Sequence, residues 1–303
     1  MLSEKENINI CVACDDNYAE FAGVVITSVL NNAKPDDKLS FFILDGGISG
    51  TKKQEILSLK AIKDCNINFV EIDESLFEDY KKIKTHSYLT IPAYYRLKLP
   101  SLLPNIDKII YLDCDTVANT SLYPLFNTNI ADFAIGAVKD INKRMLKRNP
   151  KYFNSGVLLI NLKYWRNNNI EEKLLQFTKA NIDNIKVGDQ EVLNRVLSNE
   201  VKILEDNWNV QSSNFTNRSS YTSSPKIIHF VARNKPWKEN CFSFHKNLYF
   251  KYLQLTPWKL NNEELSKALK CNLIGYVKYR PFFWLRPRFY EALLRTYIFK
   301  GEN

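Results

Sequence analysis

Residues 108–117 read KIIYLDCDTV. The apolar run Ile109-Ile110-Tyr111-Leu112 passes directly into Asp113-Cys114-Asp115. A run of that length, bounded by polar residues, reads as a buried strand. The two carboxylates at its end pose a chemical problem, because each raises the cost of ionising the other. Side chains two apart on an extended chain point to the same face. The pair therefore either faces water as turn residues or converges on something positive.

Working outward, the pattern around this strand alternates. Asn9–Ala13, Phe41–Leu44 and Ile67–Ile72 read as strands. Glu20–Leu30 and a segment from Thr51 to about Ile62 show helical spacing. A further helix is expected over Ala93–Leu99. Strands are expected at Phe133–Val138 and Val157–Leu162, on either side of a basic, proline-containing connector, Lys139–Tyr152. Helices follow at Glu171–Ala180 and Asp189–Leu197, and a last strand at Lys226–Phe230. Such alternation implies βαβ units and an α/β fold with a mostly parallel sheet. The stretch Gln211–Ser224 is a polar loop long enough to be functional. After Lys259 basic and aromatic residues interleave, and a boundary is placed near residue 240. Residues 1–240 are expected as a catalytic domain and 241–303 as a small helical, basic and aromatic segment.

The 303 residues are 45% hydrophobic and 13% aromatic, ample for a core. The formal net charge is +9. From Lys270 to Asn303 seven basic residues face two acidic ones, so +5 of it sits in the tail. A nucleic-acid-binding protein would spread Lys and Arg over its main face, so no nucleic-acid partner is expected. MLSEKENINI has no apolar h-region and is not read as a secretory signal. No run approaches the roughly 18 apolar residues of a membrane span, and a cytosolic location is expected. The six cysteines, with one C-x-x-C at Cys11–Cys14, are read as reduced, partly buried thiols rather than a zinc site.

In open α/β sheets, ligands sit beyond the carboxyl ends of the strands. Asp15-Asp16-Asn17-Tyr18 follows the first strand, Asp113-Cys114-Asp115 the fourth and Asp140 the fifth. Asn154-Ser155-Gly156 leads into the sixth, and the last carries His229 with Lys235-Pro236-Trp237 beyond it. Each has a bland reading beside a functional one. Asp113 and Asp115 either end a strand in solvent or hold a hard divalent cation, which His229 would tilt from Mg²⁺ toward Mn²⁺. His229 either packs or ligates, and Lys235 is either a surface lysine or a phosphate contact. Asp15 and Asn17 either cap the next helix or bind a nucleoside. Asn154-Ser155-Gly156 reads equally as a turn, and Asp189-Gln190 equally as the polar start of a helix.

In order, these stretches read C-D-D-N-Y, Y-Y-R-L-K-L, Y-L-D-C-D, N-S-G-V-L-L-I-N-L, G-D-Q-E-V-L-N and H-F-x-x-x-x-K-P-W. The series resembles bacterial family 8 glycosyltransferases, the retaining galactosyl- and glucosyltransferases of lipopolysaccharide and related glycans, relatives of glycogenin. The resemblance spans about residues 8 to 238. It implies a GT-A fold, with a Rossmann-like sheet flanked by helices that binds a UDP-hexose, and Mn²⁺ (or Mg²⁺) on the diphosphate. By position it makes Asp113, Asp115 and His229 metal ligands. Ala13, Asp15 and Asn17 would hold uridine, and Lys235 the diphosphate. Arg96, Asp113, Asn154 and Asp189 would grip the donor sugar, with Gln190 at the anomeric carbon and Asp140 near the acceptor. Asp189 and Glu191 are the alternative nucleophiles. The family often has glycine where Ala232 stands, and alanine adopts positive φ less readily.

The resemblance thus implies hexose transfer from a UDP-sugar to a glycan or glycolipid acceptor. The competing class is a sugar-nucleotide or glycan-binding protein without turnover. Aromatic and basic residues between Tyr276 and Lys300 suit an anionic membrane surface, and hence a peripheral position on the inner face of the cell membrane.

Overall fold

A computed structural model of the chain describes residues 6–82, 91–212, 224–232, 235–238, 241, 243 and 245–269. The first half runs β1 (Ile8–Cys14), α1 (Ala19–Asn32), β2 (Leu39–Asp45), α2 (Gly50–Ser58), β3 (Asn66–Glu71), α3 (Pro92–Tyr95), α4 (Leu99–Leu102), β4 (Lys108–Leu112), β5 (Thr116–Ala118) and α5 (Tyr123–Phe126). The chain continues through β6 (Ile135–Lys139), α6 (Lys143–Arg148), β7 (Phe153–Asn161), α7 (Leu162–Asn167), α8 (Ile170–Ala180) and α9 (Asp189–Val196). It then forms β8 (Val201–Ile203), β9 (Val210–Gln211), β10 (Ile227–His229), α10 (Lys246–Leu253) and α11 (Asn262–Leu269).

Seven strands form one sheet in the order β3-β2-β1-β4-β7-β6-β8. All run parallel except β7, which is antiparallel to both neighbours. The expected α/β fold with a mostly parallel sheet is therefore what forms. Alternate residues of the central strands feed two apolar layers. Ile110 and Leu112 of β4 join Val25, Ile26 and Val29 of α1 on one face. Ile109 and Tyr111 join Trp165, Leu174 and Val192 on the other. Burial on both faces explains the unbroken apolar run at 109–112, since a half-exposed strand would alternate.

The chain order reverses at β1. It first builds outward through β2 and β3, then returns with β4 on the other side. The carboxyl ends of β1 and β4 therefore flank a crevice, the place where such sheets bind ligands. Because β7 is antiparallel, its first residues lie at that same edge; Asp113 N–H donates to Gly156 O at 2.9 Å.

Four local expectations differ from the structure. The last strand joins not the main sheet but a second, three-stranded one ordered β5-β10-β9. Asn154-Ser155-Gly156 is extended strand within β7, not a turn. The helix expected over Ala93–Leu99 is two short helices joined by a 3-10 turn at Arg96–Lys98. Pro100, in the first turn of α4, lacks the N–H that would continue α3. The basic connector contains α6, capped by the Asn142 side chain.

Helix α1 is buried almost all round, because β10 and α10 cover its outer side. Val24 packs with Val117, Ile228, Phe230, Tyr249 and Tyr252, and Trp258 closes over it. A Cβ added at Gly23 would lie 2.1 Å from Trp258 Cζ3, and the Trp258 indole is held by Glu55 at 3.0 Å. Gly23→Ala is therefore expected to cost about 1–3 kcal/mol through overpacking. A melting temperature equal to that of the unaltered protein would contradict this. Residues 213–223 of the polar loop and 270–303 of the tail lie outside the described residues. No helix among the described residues is long and apolar enough to cross a membrane.

Candidate active site

The crevice at the β1–β4 edge is a cavity of about 580 Å³. Ala13, Arg96, Asp113, Asp115, Asp140, Asn154, Asp189, Gln190, His229 and Lys235 all line it. Ten of the thirteen residues given a site role in the sequence are thus brought together. Asp15 and Asn17 stand on the adjoining turn, outside the lining. Asp15 caps that turn by accepting from Tyr18 N–H at 3.1 Å, and Asn17 is exposed.

Asp113, Cys114 and Asp115 occupy a tight turn between β4 and β5, closed by Thr116 N–H donating to Asp113 O at 3.1 Å. This turn, not an extended chain, directs both carboxylates to one point. His229 arrives from β10, which pairs antiparallel with β5 so that His229 lies opposite Thr116. One ligand atom from each of Asp113, Asp115 and His229 lies within 4.8 Å of the others. Space for the imidazole comes from a missing side chain, since a Cβ on Gly156 would sit 2.1 Å from His229 Cε1 and 2.7 Å from Asp113 Oδ2.

Hydrogen bonding assigns the imidazole tautomer. Gly156 N–H is an unambiguous donor to Asn154 Oδ1 at 3.0 Å, which fixes the Asn154 amide. The same oxygen is 3.0 Å from His229 Nδ1, so Nδ1 carries the proton. Asn209 Oδ1 is 3.3 Å from Nδ1, and Asn209 Nδ2 donates to Asn154 Oδ1 at 2.9 Å. With Nδ1–H as donor, Nε2 is the ring atom left to ligate a cation. That nitrogen lies 3.1 Å from Asp115 Oδ1 and 3.8 Å from Asp113 Oδ2. Asp115 Oδ1 is buried and accepts no hydrogen bond. Three acceptors aimed at one point are complementary to a cation. The mixed oxygen and nitrogen set fits a divalent ion of the Mg²⁺ or Mn²⁺ kind.

The other oxygen of Asp115 is paired with Lys235 Nζ, which also donates to Phe230 O at 2.8 Å. Burial pushes the Asp115 carboxyl up, but Lys235 and His229 outweigh it and hold the group well below the usual carboxylate range. Between His229 and Lys235 the backbone takes φ 58° at Ala232. The left-handed conformation usually given to glycine is therefore kept here by alanine, at a cost of roughly 1–2 kcal/mol.

A second polar group lies on the opposite side of Asp113. Buried Arg96 donates to Asp113 Oδ1 at 2.6 Å and Ser155 O at 2.7 Å, and lies 4.0 Å from the Tyr111 ring centre. Its Nε is 3.4 Å from Asp189 Oδ2. Burial raises the Asp189 pKa despite Arg96, and Oδ2 has no hydrogen-bond partner. Gly188, at φ 65°, turns the chain so that α9 begins with Asp189 inside the site.

Gln190 Oε1 accepts from Ser155 N–H at 3.2 Å and Asn154 Nδ2 at 3.1 Å. Its Nε2 donates to Asp140 Oδ2 at 2.9 Å. Glu191 instead accepts from Lys186 N–H and Val187 N–H of its own loop.

Asn209 completes the site and was not singled out in the sequence, while Ser155 and Gly156 stood there only as part of the stretch Asn154-Ser155-Gly156. A lone asparagine in W-N-V carries no signal until the fold sets it beside Asn154. Asn209→Leu is expected to leave the fold intact but mix the His229 tautomers. Imidazole ¹⁵N shifts that still report a single Nδ1–H form would contradict the assignment.

The family model described as Glycosyl transferase family 8 matches residues 9–241. General stress protein A of Bacillus subtilis (strain 168) is 31% identical over 277 residues, 84% of this chain and 96% of that protein. Lipopolysaccharide 1,2-glucosyltransferase of Escherichia coli is 29% identical over 294 residues, 89% of this chain and 84% of that protein. Among solved structures, the galactosyltransferase LgtC, in complex with donor and acceptor sugar analogues, superposes with a TM-score of 0.74. It is 27% identical and covers 86% of this chain and 100% of its own. The mostly parallel seven-stranded sheet and flanking helices are those of the GT-A fold seen in that neighbour. The six motifs in their order, the cavity they line and the match over residues 9–241 agree: the chain belongs to glycosyl transferase family 8.

Proposed function

We propose that the protein is a retaining hexosyltransferase that moves galactose or glucose from a UDP-sugar to a glycan acceptor, with Mn²⁺ or Mg²⁺ as cofactor. The observation that carries this is the cluster of Asp113, Asp115 and the Nε2 lone pair of His229, open to a cavity of about 580 Å³. Cavities of roughly 300–1,000 Å³ accept ligands of sugar-nucleotide size. The bound cation would neutralise charge on the departing diphosphate.

The remaining chemistry belongs to side chains. Uridine lies along Ala13 and Tyr18, beside Asp15 and Asn17, and Lys235 turns a donor toward the diphosphate. Arg96, Asn154 and Asp189, whose Oδ2 accepts no hydrogen bond, bind hydroxyls of the donor sugar. Asp140 and Gln190 border the acceptor. Both acceptor directions of Gln190 Oε1 are already taken by Ser155 and Asn154, which disfavours it as a nucleophile. Glu191 serves its own loop. These contacts support a same-face displacement. The acceptor oxygen bonds to the anomeric carbon, the sugar–phosphate bond breaks with its electron pair on phosphate, and that oxygen takes the acceptor's proton.

A donor screen tests this reading. UDP-galactose and UDP-glucose are incubated with lipopolysaccharide-type and lipid-linked acceptors, and products are read by mass spectrometry. A mass gain of one hexose from one donor is expected. Tight UDP-sugar binding with no product and no UDP release would instead favour the binding protein without turnover.

The tail belongs to the same reading as an anionic membrane contact that keeps the enzyme on the inner face of the membrane. Leu265 and Ala268 of α11 pack on the cluster around α10, so a truncation belongs after Leu269. Residues 1–269 are expected to keep UDP-sugar hydrolysis and lose binding to anionic liposomes. Unchanged liposome flotation would sink the membrane role.

A further inference from the structure

Two segments of the chain are strongly basic. Residues 139–151 hold Lys139, Lys143, Arg144, Lys147, Arg148 and Lys151 against Asp140 alone, a net of +5. Residues 270–303 hold another +5, so the two together account for slightly more than the whole net charge of +9. The rest of the chain nets −1, with a further basic stretch between Lys226 and Lys259 offset by acidic residues elsewhere.

The first segment adjoins the cavity. Asp140, Ile141 and Asn142 line it, and Asn142 Oδ1 then accepts from Arg144 N–H and Met145 N–H to start α6. The helix therefore leaves directly from the rim, next to the Asp140–Gln190 contact assigned above to the acceptor side. Its six residues carry the cations about 9 Å along the surface.

All six cations are exposed. No ion pair to a carboxylate among the described residues involves them. Six like charges on 13 residues repel one another, and nothing in the packing requires them. Met145 and Leu146 are half-buried, and the exposed large apolar residues, Leu76, Leu255 and Leu269, lie on other elements. The face thus lacks the apolar stripe by which a helix enters a bilayer. What fits is a water-borne polyanion, with lysine and arginine matching phosphate oxygens.

We propose that the connector 139–151 is a docking rim for a glycan acceptor that carries phosphate groups beside the hydroxyl to be glycosylated. The proposal rests on the transferase reading for its purpose, while the binding itself can be measured without turnover. Exposed contacts of this kind steer encounter and weaken with salt, because the Debye length is about 8 Å at physiological ionic strength.

The test uses the full-length protein and fluorescein-labelled phosphodextran oligosaccharides, before and after phosphatase treatment. Fluorescence polarisation at low salt is expected to give at least tenfold tighter binding of the phosphorylated form, with the preference shrinking as salt rises. A variant carrying Lys143→Gln, Arg144→Gln, Lys147→Gln and Arg148→Gln is expected to lose that preference. Its melting temperature and UDP binding should be unchanged. A matched variant carrying Lys278→Gln, Arg280→Gln, Arg286→Gln and Arg288→Gln in the tail should keep the preference. Equal binding of the two glycans by the unaltered protein, or a preference that survives the connector changes, overturns the proposal. So does a connector variant that loses phosphatidylglycerol vesicles but keeps phosphodextran, which would assign the rim to a bilayer. Absence of UDP binding in every protein would defeat the transferase reading and leave the rim standing.

Discussion

Asp115→Asn is expected to lower UDP release from the donor by roughly 10³-fold, about 4 kcal/mol of lost transition-state stabilisation. The substitution keeps the shape of the side chain and an oxygen for Lys235, but removes one negative charge from the point where Asp113, Asp115 and His229 converge. Mn²⁺ affinity, read by electron paramagnetic resonance on the resting protein, should fall at least tenfold. The fold should survive, because Lys235 keeps Phe230 O as a partner at 2.8 Å. Alanine is a poorer test at this position. It would also remove the oxygen that asparagine keeps for Lys235, and leaving a buried ammonium short of an acceptor costs stability for reasons unrelated to a metal. Asp113→Ala should behave like Asp115→Asn in UDP release. Unaltered release from either variant would make the metal assignment wrong.

Gly156→Ala is expected to be nearly as damaging, although it removes no functional group. The added Cβ would stand 2.1 Å from His229 Cε1, 2.7 Å from His229 Nδ1 and 2.7 Å from Asp113 Oδ2. The imidazole is pinned by Asn154 and Asn209, and Asp113 by Arg96, so neither retreats freely. Relief must come from rotating His229 away from Asp115 or from moving β7 off β4. The first breaks the ligand set, and the second disturbs the pairing of Leu112 with Val157. Stability should fall by about 1–3 kcal/mol, the usual cost of overpacking. Activity should fall on the order of 10²-fold or more, since misplacement by about 1 Å is enough for that. A folded Gly156→Ala protein with full UDP release would show that His229 is not needed where the structure places it.

The core of the fold was legible because its signals are local. The apolar runs of β1, β2 and β4, and the helical spacing of α1, α8 and α9, are long enough to declare their type. Of the second sheet only β10 was legible, as the strand expected at Lys226–Phe230; β5 and β9 have three and two residues and no period. Helix α7 follows β7 without a break, so Asn161, its cap, looks like a strand end. The direction of β7 was hidden too, since the apolar run Val157–Ile160 looks the same in either orientation.

Around the cavity, the amides Asn154 and Gln190 and every titratable residue but Asp140 stood in the ordered motifs, whereas Asn209 stood in none. Gly156 was visible only as a turn residue, whereas its role is to carry no Cβ beside His229. The glycine-type backbone suspected at Ala232 is present, at φ 58°, so alanine there bears strain instead of changing the path. Lys235, expected on a diphosphate, lies against Asp115 here. A lysine beside both the ligand cluster and the cavity is suited to following the leaving group.

The measurement closest to the central claim is UDP release from UDP-galactose and UDP-glucose with Mn²⁺, and again after chelation, with the product anomer read by NMR. One donor should give metal-dependent UDP release and a product that keeps the α configuration of the donor. Release that persists after chelation, or a product of inverted configuration, would contradict the account.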